Sequence, residues 1–515
     1  MNSNFRRFVD RYWILFVLII IKMVLQYVVV NPVYELHRDE FLYLNQADHL
    51  SFGYISVPPL TAVISKIIYL LGGGLFWIRF FPALFGTLTI VFVWLIIESV
   101  GGSLFSRILA STALVFSALM RINILYQPNS FDVLTWTVIF YLLIRYIQNE
   151  NIKWLWILAV IIAVGFYNKY NLVFLIAGLA VGLLATIQRR IFGKLSFWKA
   201  LILSLAILSP NIIWQIINHF PVFQHMKVLK ANQLDNNTSI GFLISQLTFF
   251  FGSIPITLAA LVAFSYFKPF RSFRFIGISF VTIIALFAAM KAKDYYAVGL
   301  YPVIIAFGSV YIDLILSKKL RFVVVPLLII LNLAIFILTL KLVYPIYSPV
   351  EIRKHAQSFG KLGLLRWEDG KNHNLPQDFA DMLGWKEMAD KSLEAYKMIP
   401  PGELENTLII CGNYGEAGAL NYYNRSKMPE AYSFNTDYIY WLPHLKKIRN
   451  ILYIGMKPGD DVLRAFNEFR LIGSVEDEYA REKGAGIYLL IGAKDLFTPI
   501  FYNKVEERKK KQDLF

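Results

Sequence analysis

Long apolar stretches recur through the first two thirds of the chain, and they constrain its fold more than any other feature. A membrane-spanning helix needs about 20 mostly apolar residues, and stretches of that length follow one another with only short polar connections. The charged fraction of 17% is also below the roughly 25% of a soluble domain. The pattern therefore predicts an α-helical multi-pass membrane domain over residues 1–344.

Counted at that length, the stretches predict about eleven spans. They lie at residues 12–30, 76–98, 104–121, 131–148, 154–169, 171–188, 199–217, 242–266, 273–290, 295–315 and 322–342. A further apolar stretch, 60–71, is shorter and is typical of an interfacial helix.

The remainder, residues 345–515, has the composition of a water-soluble domain. It carries 24 Lys and Arg against 24 Asp and Glu, so the first 344 residues hold the whole net charge of +16. Short apolar runs typical of buried strands alternate with helix-like segments. The runs are 407–412, 451–456, 469–475 and 486–493, and the helix-like segments are 379–399 and 460–469. We expect a small α/β domain.

The position of the basic residues predicts the orientation in the membrane. Lys and Arg cluster in alternate connections, at 99–107, 147–153, 188–199, 267–274 and 317–321. Cytoplasmic connections carry such an excess, so we expect a cytoplasmic N-terminus, an extracytoplasmic C-terminal domain and an inner-membrane location. The same placement between apolar segments disfavours a nucleic-acid partner.

The sequence His37-Arg38-Asp39-Glu40 follows the first predicted span and falls on the predicted outer face. Charge at the edge of a bilayer is costly, which makes this pair of carboxylates a candidate functional site. Neighbouring residues cannot face the same way, so one carboxylate is expected to do chemistry and the other to bind or orient. The alternative is a solvated interfacial pair, or an ion pair with Arg38.

Other charged residues fall on the same predicted face. Asp132 begins the fourth span, where it could serve as a second acid, a metal ligand or a helix N-terminal charge. The basic residues there suit phosphate binding, with snorkelling to lipid headgroups as the alternative. They are Arg38, Lys66, Arg79, Arg121, Lys169, Lys291 and Lys293. No strong metal-binding spacing occurs, and the single cysteine, Cys411, excludes an intrachain disulfide.

Several segments together resemble glycosyltransferase family 39, a family of multi-pass GT-C enzymes related to protein O-mannosyltransferases and to the aminoarabinose transferase of lipid A. The segments are RDEFLYLNQADHLSFGYISVPPL, which starts at Arg38, WIRFFPALFGTL (77–88), SFDVLTW (130–136), FYNKYN (166–171) and DYYAVGLYP (294–302). The tail segments LPQDFADMLGWKEM (375–388) and ICGNYGEAGALNYY (410–423) are similar to a bacterial subgroup of undefined substrate.

The resemblance implies a sugar donor linked to polyprenyl phosphate, used on the outer face with inversion at the anomeric carbon. It implies that Asp39 is the base that activates the acceptor and that Glu40 supports it or contacts the acceptor. Asp132 matches a second acidic position, and Lys169 and Arg79 match basic positions suited to the donor phosphate. Arg38, Tyr43, Lys66 and Tyr295 complete the expected substrate-binding set.

The acceptor implied by the resemblance is a lipid, a cell-envelope glycan or a protein. The resemblance fixes no cofactor, and a divalent cation is an open alternative. The competing function is a transporter or flippase of a lipid-linked sugar. Transporters tend to show internal repeats with broken helices at the midplane, which this sequence lacks, so we favour the glycosyltransferase.

Overall fold

The computed structural model describes residues 3–232 and 234–511. The chain forms two compact units. The first contains Met1–Val30, Phe76–Ile213 and Gln233–Ile346, and the second contains Asn31–Leu75, Trp214–Asn232 and Tyr347–Phe515. The second unit thus combines the tail with two segments, 31–75 and 214–232, that lie between the apolar helices in the sequence.

The described α-helices follow one another along the chain as α1 (Ser3–Val28), α2 (Arg38–Asn45), α3 (Leu60–Leu70), α4 (Leu75–Ser99), α5 (Leu104–Val115), α6 (Leu119–Ile122), α7 (Pro128–Asn149), α8 (Lys153–Asn168), α9 (Leu172–Leu184), α10 (Leu195–Ile217), α11 (Pro221–Asn232), α12 (Ser239–Phe249), α13 (Ile254–Tyr266), α14 (Arg274–Ala289), α15 (Tyr301–Ile315), α16 (Lys318–Val343), α17 (Pro349–Lys354), α18 (Ala356–Lys361), α19 (Gln377–Ala380), α20 (Trp385–Lys397), α21 (Tyr414–Tyr423), α22 (Tyr438–Trp441), α23 (Asp460–Leu463) and α24 (Phe497–Lys511). Short 3₁₀ helices of three to seven residues connect several of them.

Seven helical segments within the described residues are long and apolar enough to cross a membrane, or up to nine if each of two bent pairs forms one span. The predicted count of eleven is not confirmed. Two of the predicted spans, 104–121 and 154–169, fall on the shorter helices α5 and α8. Helix α5 ends before Phe116, whose backbone leaves the helical region (φ −98°, ψ 51°).

Close helix packing builds the first unit. A Cβ atom on Gly308 of α15 would come within 2.0 Å of the Ile256 carbonyl oxygen on α13. A Cβ on Gly299 would likewise come within 2.7 Å of the Trp136 ring, which is fully buried. Small residues at helix contacts are typical of membrane bundles. Here they bring α13 against α15, and α7 against the 3₁₀ segment Asp294–Leu300 that precedes α15.

A five-stranded mixed sheet forms the centre of the second unit. Its strands are β1 (Thr407–Cys411), β2 (Tyr432–Ser433), β3 (Asn450–Gly455), β4 (Phe466–Ser474) and β5 (Gly486–Ala493), in the spatial order β2-β1-β3-β5-β4. Strand β1 is parallel to β2 and β3, whereas β5 is antiparallel to β3 and β4. The predicted strand runs are therefore all present.

One helix prediction in the tail is wrong. The segment 460–469 forms only the short helix α23, and β4 begins at Phe466, opposite Ala493 of β5. The sheet contact decides the conformation, since Phe466 is buried in the core of this unit. Ile55, from the segment that follows α2, belongs to the same core.

Candidate functional site

His37, Asp39 and Glu40 build the start of helix α2. His37 is the N-cap residue, and its Nδ1 accepts a hydrogen bond from the Asp39 backbone N–H at 3.2 Å. The His37 backbone N–H in turn donates to Glu40 Oε2 at 2.6 Å. This is a capping box, and it holds the Glu40 side chain fully buried. The two neighbouring carboxylates therefore have different surroundings.

The Asp39 carboxylate remains partly open to solvent, with 31% of its side chain exposed. The Tyr414 hydroxyl donates a hydrogen bond to Asp39 Oδ1 at 2.7 Å. Burial raises the pKa of the Tyr414 phenol, with Asp39 adding to the effect and Arg38 opposing it. Tyr414 thus stays protonated and acts as a donor, which fixes the direction of the carboxylate.

Arg38 is held inside the second unit. Its guanidinium lies over the Tyr414 ring, 4.3 Å from the centroid, a cation–π contact. Its backbone N–H donates to the Asp381 carbonyl at 3.0 Å. The Asp381 carboxylate accepts Nη1 of Arg481 at 3.0 and 3.2 Å, and His37 Nε2 lies 3.7 Å away. Arg38 therefore supports the loop through its packing.

Two glycines of α21 allow α2 to approach closely. A Cβ on Gly415 would come within 2.6 Å of Arg38 Cγ, and one on Gly418 would come within 2.7 Å of Phe41 Cβ. Neither site has room for a larger residue unless α2 shifts. The sequence NYGEAG (413–418) is thus the helix start at which α21 contacts α2.

Asn413 and Glu416 form a second capping box at this helix start. The Asn413 side chain accepts from the Gly415 and Glu416 backbone N–H groups, and Glu416 Oε2 accepts from the Asn413 N–H at 3.0 Å. Burial, together with the charge of Glu482, raises the pKa of Glu416 to about 8. The Glu416 carboxyl group in this cap is therefore protonated more readily than an ordinary glutamate.

Tyr43 and Lys66, predicted to bind substrate, lie on α2 and α3 of the same unit. Tyr43 is buried, and its carbonyl accepts a hydrogen bond from Ser65 Oγ at 2.7 Å. Lys66 is exposed on α3. The structure therefore leaves only Lys66 of this pair open to a ligand.

A second group of predicted residues lies in the first unit. Asp132, in the first turns of α7, accepts from Trp136 Nε1 at 2.9 Å and from Asn171 Nδ2 at 3.0 Å. The Asn171 amide also donates to the Tyr296 carbonyl at 3.1 Å. Asp132 is buried, so its charge orients Asn171 within the turn between α8 and α9.

Lys169 lies in that same turn. Its ammonium donates to Asn129 Oδ1 at 2.7 Å and lies 5.1 and 4.9 Å from the ring centroids of Tyr295 and Tyr296. The structure thus brings Asp132, Lys169 and Tyr295 together. This arrangement joins a cation to polar groups at the start of α7, where the helix dipole favours anions.

Arg79 lies near the start of α4 in the same unit. Its Nη1 donates to the Ile124 carbonyl at 2.7 Å, and only 6% of the residue is exposed. Within the described ranges 3–232 and 234–511, no three His, Cys, Asp or Glu side chains are close enough to hold a metal ion.

Comparison with known proteins identifies the fold. Residues 56–214 match a family described as dolichyl-phosphate-mannose-protein mannosyltransferase. The structure is similar to that of ArnT from Cupriavidus metallidurans bound to undecaprenyl phosphate, with 13% identity and a TM-score of 0.59 over 93% of this chain and 98% of that one. The chain has the GT-C fold. The predicted fold class and the predicted family resemblance are confirmed.

A second GT-C structure supports the same conclusion. The archaeal oligosaccharyltransferase AglB from Archaeoglobus fulgidus, in complex with an inhibitory peptide and a dolichol-phosphate, is similar at 10% identity and a TM-score of 0.52. The similarity covers 82% of this chain and 65% of AglB. No curated protein matches the sequence.

The family match includes some of the predicted residues and leaves out others. Lys66, Arg79, Asp132 and Lys169 lie within residues 56–214, whereas Asp39 and Glu40 precede them. The sequence did not point to Tyr414, the residue that donates a hydrogen bond to Asp39. The available signal was its position at the helix start NYGEAG, directly after a predicted strand.

Proposed function

We propose that the protein is an integral-membrane, inverting glycosyltransferase that moves a sugar from a polyprenyl-phosphate carrier to an acceptor on the outer face of the inner membrane. The observation that carries this proposal is the partly exposed Asp39 carboxylate, aimed by Tyr414 and set in a chain with the GT-C fold. The polyprenyl phosphates bound by ArnT and AglB support the donor class.

The set of chain segments that forms the second unit supports the outer-face location. Its segments 31–75, 214–232 and 347–515 are separated by apolar helices yet pack into one unit. Segments that pack together must lie on one face of the membrane. Lys and Arg cluster in the connections 99–107, 147–153, 188–199, 267–274 and 317–321, which are typical of the cytoplasmic side. This bias favours the extracytoplasmic side for the three segments of the second unit and a cytoplasmic N-terminus.

In the proposed reaction, the acceptor hydroxyl gives its proton to the Asp39 carboxylate as its oxygen attacks the anomeric carbon. The bond from that carbon to the phosphate oxygen breaks on the opposite side, so the configuration inverts. A carboxylate within hydrogen-bond reach of the hydroxyl is suited to this role. Glu40 supports the loop through the capping box, since its side chain is buried.

The carrier phosphate departs as an anion, and cations stabilise that charge. We assign this role to Lys169, with Asp132 and Asn171 holding its turn and Tyr295 beside it. Arg79 is assigned a supporting role, because its guanidinium is already bonded to the Ile124 carbonyl.

The test uses the purified protein in nanodiscs with radiolabelled polyprenyl-phosphate sugars and an extract of envelope lipids, glycans and proteins. We expect label to pass to one acceptor class, and we expect Asp39→Asn to transfer it about 10²–10⁴-fold more slowly. If labelled donor crosses the bilayer in sealed vesicles and no product forms, the protein is a flippase. A reporter fused after Phe515 that reads cytoplasmic would contradict the orientation.

A further inference from the structure

A cavity of about 340 Å³ lies within the second unit. Its walls come from the loop after α2, from α22 and its start, and from the end of α10. The volume is within the range of about 300–1,000 Å³ typical of small-molecule sites. Nothing in the proposed reaction uses the residues that line it.

Five of the ten residues that line the cavity carry an aromatic ring. Trp214, Tyr440 and Trp441 contribute to the wall, and Tyr54 closes it from the loop. A Cβ on Gly53 would come within 2.2 Å of the Trp214 ring, so glycine is what lets this ring lie against the loop. Aromatic faces carry negative charge density, which attracts the weakly positive C–H groups on one face of a sugar ring.

The lining is fixed before any ligand arrives. The His49 ring stacks on Trp441 with centroids 4.2 Å apart and an angle of 7°. His49 Nε2 lies 2.7 Å from Glu430 Oε1, and the Tyr54 hydroxyl donates to the His49 carbonyl at 2.8 Å. A preorganised wall loses little entropy on binding.

The polar groups select a neutral ligand. The Asp437 carboxylate at the cavity wall already accepts bonds from Ile55 N–H at 2.6 Å, Ser56 Oγ at 2.7 Å and Gln46 Nε2 at 2.9 Å. Among the described residues that line the cavity there is no lysine or arginine. An anionic ligand would therefore meet a carboxylate and no opposing cation.

Donors remain available for a hydroxylated ligand. Within the part of the chain that the structure describes, the indole N–H groups of Trp214 and Trp441 and the Tyr440 hydroxyl have no hydrogen-bond partner. Tyr440 is 39% exposed, so it can meet a ligand that enters from solvent. Sugar hydroxyls are acceptors for all three groups.

We propose that this cavity binds a neutral saccharide unit of the acceptor. The proposal rests on the proposed function, because it makes the acceptor a glycan or a glycan-bearing molecule rather than a bare protein or lipid. Stacking on the aromatic rings supplies affinity, and the indole and phenol donors orient the sugar.

Saccharide binding is measured on the full-length protein in phosphatidylcholine nanodiscs prepared without sugar-based detergents. The probes are neutral hexoses, N-acetylhexosamines and their disaccharides. Their binding is measured by saturation-transfer NMR and by tryptophan fluorescence, with no sugar donor present. We expect saturable binding that Tyr440→Ala and Trp214→Leu weaken by about tenfold or more. The matched control is Phe469→Ala, an exposed aromatic on β4 that is 47% exposed and outside the cavity.

The outcomes separate this proposal from the proposed function. Sugar transfer without saccharide binding overturns the cavity site and leaves the glycosyltransferase standing. If the protein binds saccharide, Tyr440→Ala weakens that binding and no sugar is transferred, the cavity site stands and the proposed glycosyltransferase activity is overturned. If glucuronic acid binds as tightly as the neutral sugars, the cavity does not select neutral ligands. If an apolar peptide displaces every sugar, the cavity is not a saccharide site. Because Tyr440 is partly exposed, its variant tests the site even if Trp214→Leu does not fold.

Discussion

Replacing Asp39 by asparagine separates the basicity of this residue from its position. The side-chain oxygen of the asparagine would still accept the Tyr414 hydroxyl bond, which is 2.7 Å long in the native protein, so the loop keeps its geometry. Only the ability to take a proton is lost. General-base catalysis contributes about 10²–10⁴-fold, or about 2.7–5.4 kcal/mol at roughly 1.36 kcal/mol per tenfold. We therefore expect kcat to fall by two to four orders of magnitude.

Glu40→Gln is the matched control, because it removes the same charge from the neighbouring residue. The Gln side chain can still accept the His37 N–H, since capping boxes use Glu or Gln at this position. We expect kcat to stay within a fewfold of the native value. Any loss of stability should stay below the roughly 0.5–2 kcal/mol of a lost helix cap.

Both variants are assayed in nanodiscs with saturating polyprenyl-phosphate sugar, and their thermal unfolding is compared with that of the native protein. If Asp39→Asn turns over at the native rate, Asp39 is not the base. If Glu40→Gln loses as much activity as Asp39→Asn while unfolding at the native temperature, the capping assignment is wrong and Glu40 takes part in the chemistry.

Three further variants test the surroundings of these groups. Tyr414→Phe removes the hydroxyl that stabilises the ionised Asp39, so the acid limb of the kcat–pH profile should move to higher pH; an unmoved limb would refute the contact. Lys169→Met should raise the KM for the donor by about 10–100-fold, the value of a hydrogen bond to a charged group, and leave the acceptor KM unchanged in substrate titrations. Burial and Glu482 raise the pKa of Glu416 from 4.5 to about 8, so its stabilising effect is full below pH 4.5 and is lost as the pH rises through about 8. Glu416→Gln, which imitates the protonated form, should therefore unfold at a higher temperature than the native protein near pH 9 and at a similar one near pH 5 by differential scanning fluorimetry.

The sequence predicts the helices of the first unit well because the length and apolarity of a membrane span are local properties of the sequence. A span needs about 20 apolar residues whatever lies elsewhere in the chain, and every predicted span falls on helical segments, although 242–266 is divided between α12 and α13. The count fails where a local break shortens the helix, as at Phe116. In the tail, the apolar residues of 460–469 recur at helical spacing and predict a helix, but the pairing of β4 with β5 outweighs that preference.

The candidate site was only half predictable for a similar reason. Asp39 and Glu40 stand out as charges beside an apolar span, which is a local signal. Their different roles depend on His37, a residue type outside the usual N-cap set of Ser, Thr, Asp and Asn, so the capping box could not be recognised. Tyr414 lies 375 residues from Asp39 in the chain, and no local pattern reports such a contact.

The contacts of the acidic loop make the tail part of the proposed catalytic apparatus rather than an accessory domain. Helix α2 packs on α21 at two glycines that allow no side chain, and Ile55 completes the core of the tail's sheet. The direction of Asp39 is then set by a residue of the tail. A chain without residues 347–515 would expose the buried faces of α2 and lose the donor to the carboxylate. The activity of this protein should therefore depend on residues 347–515.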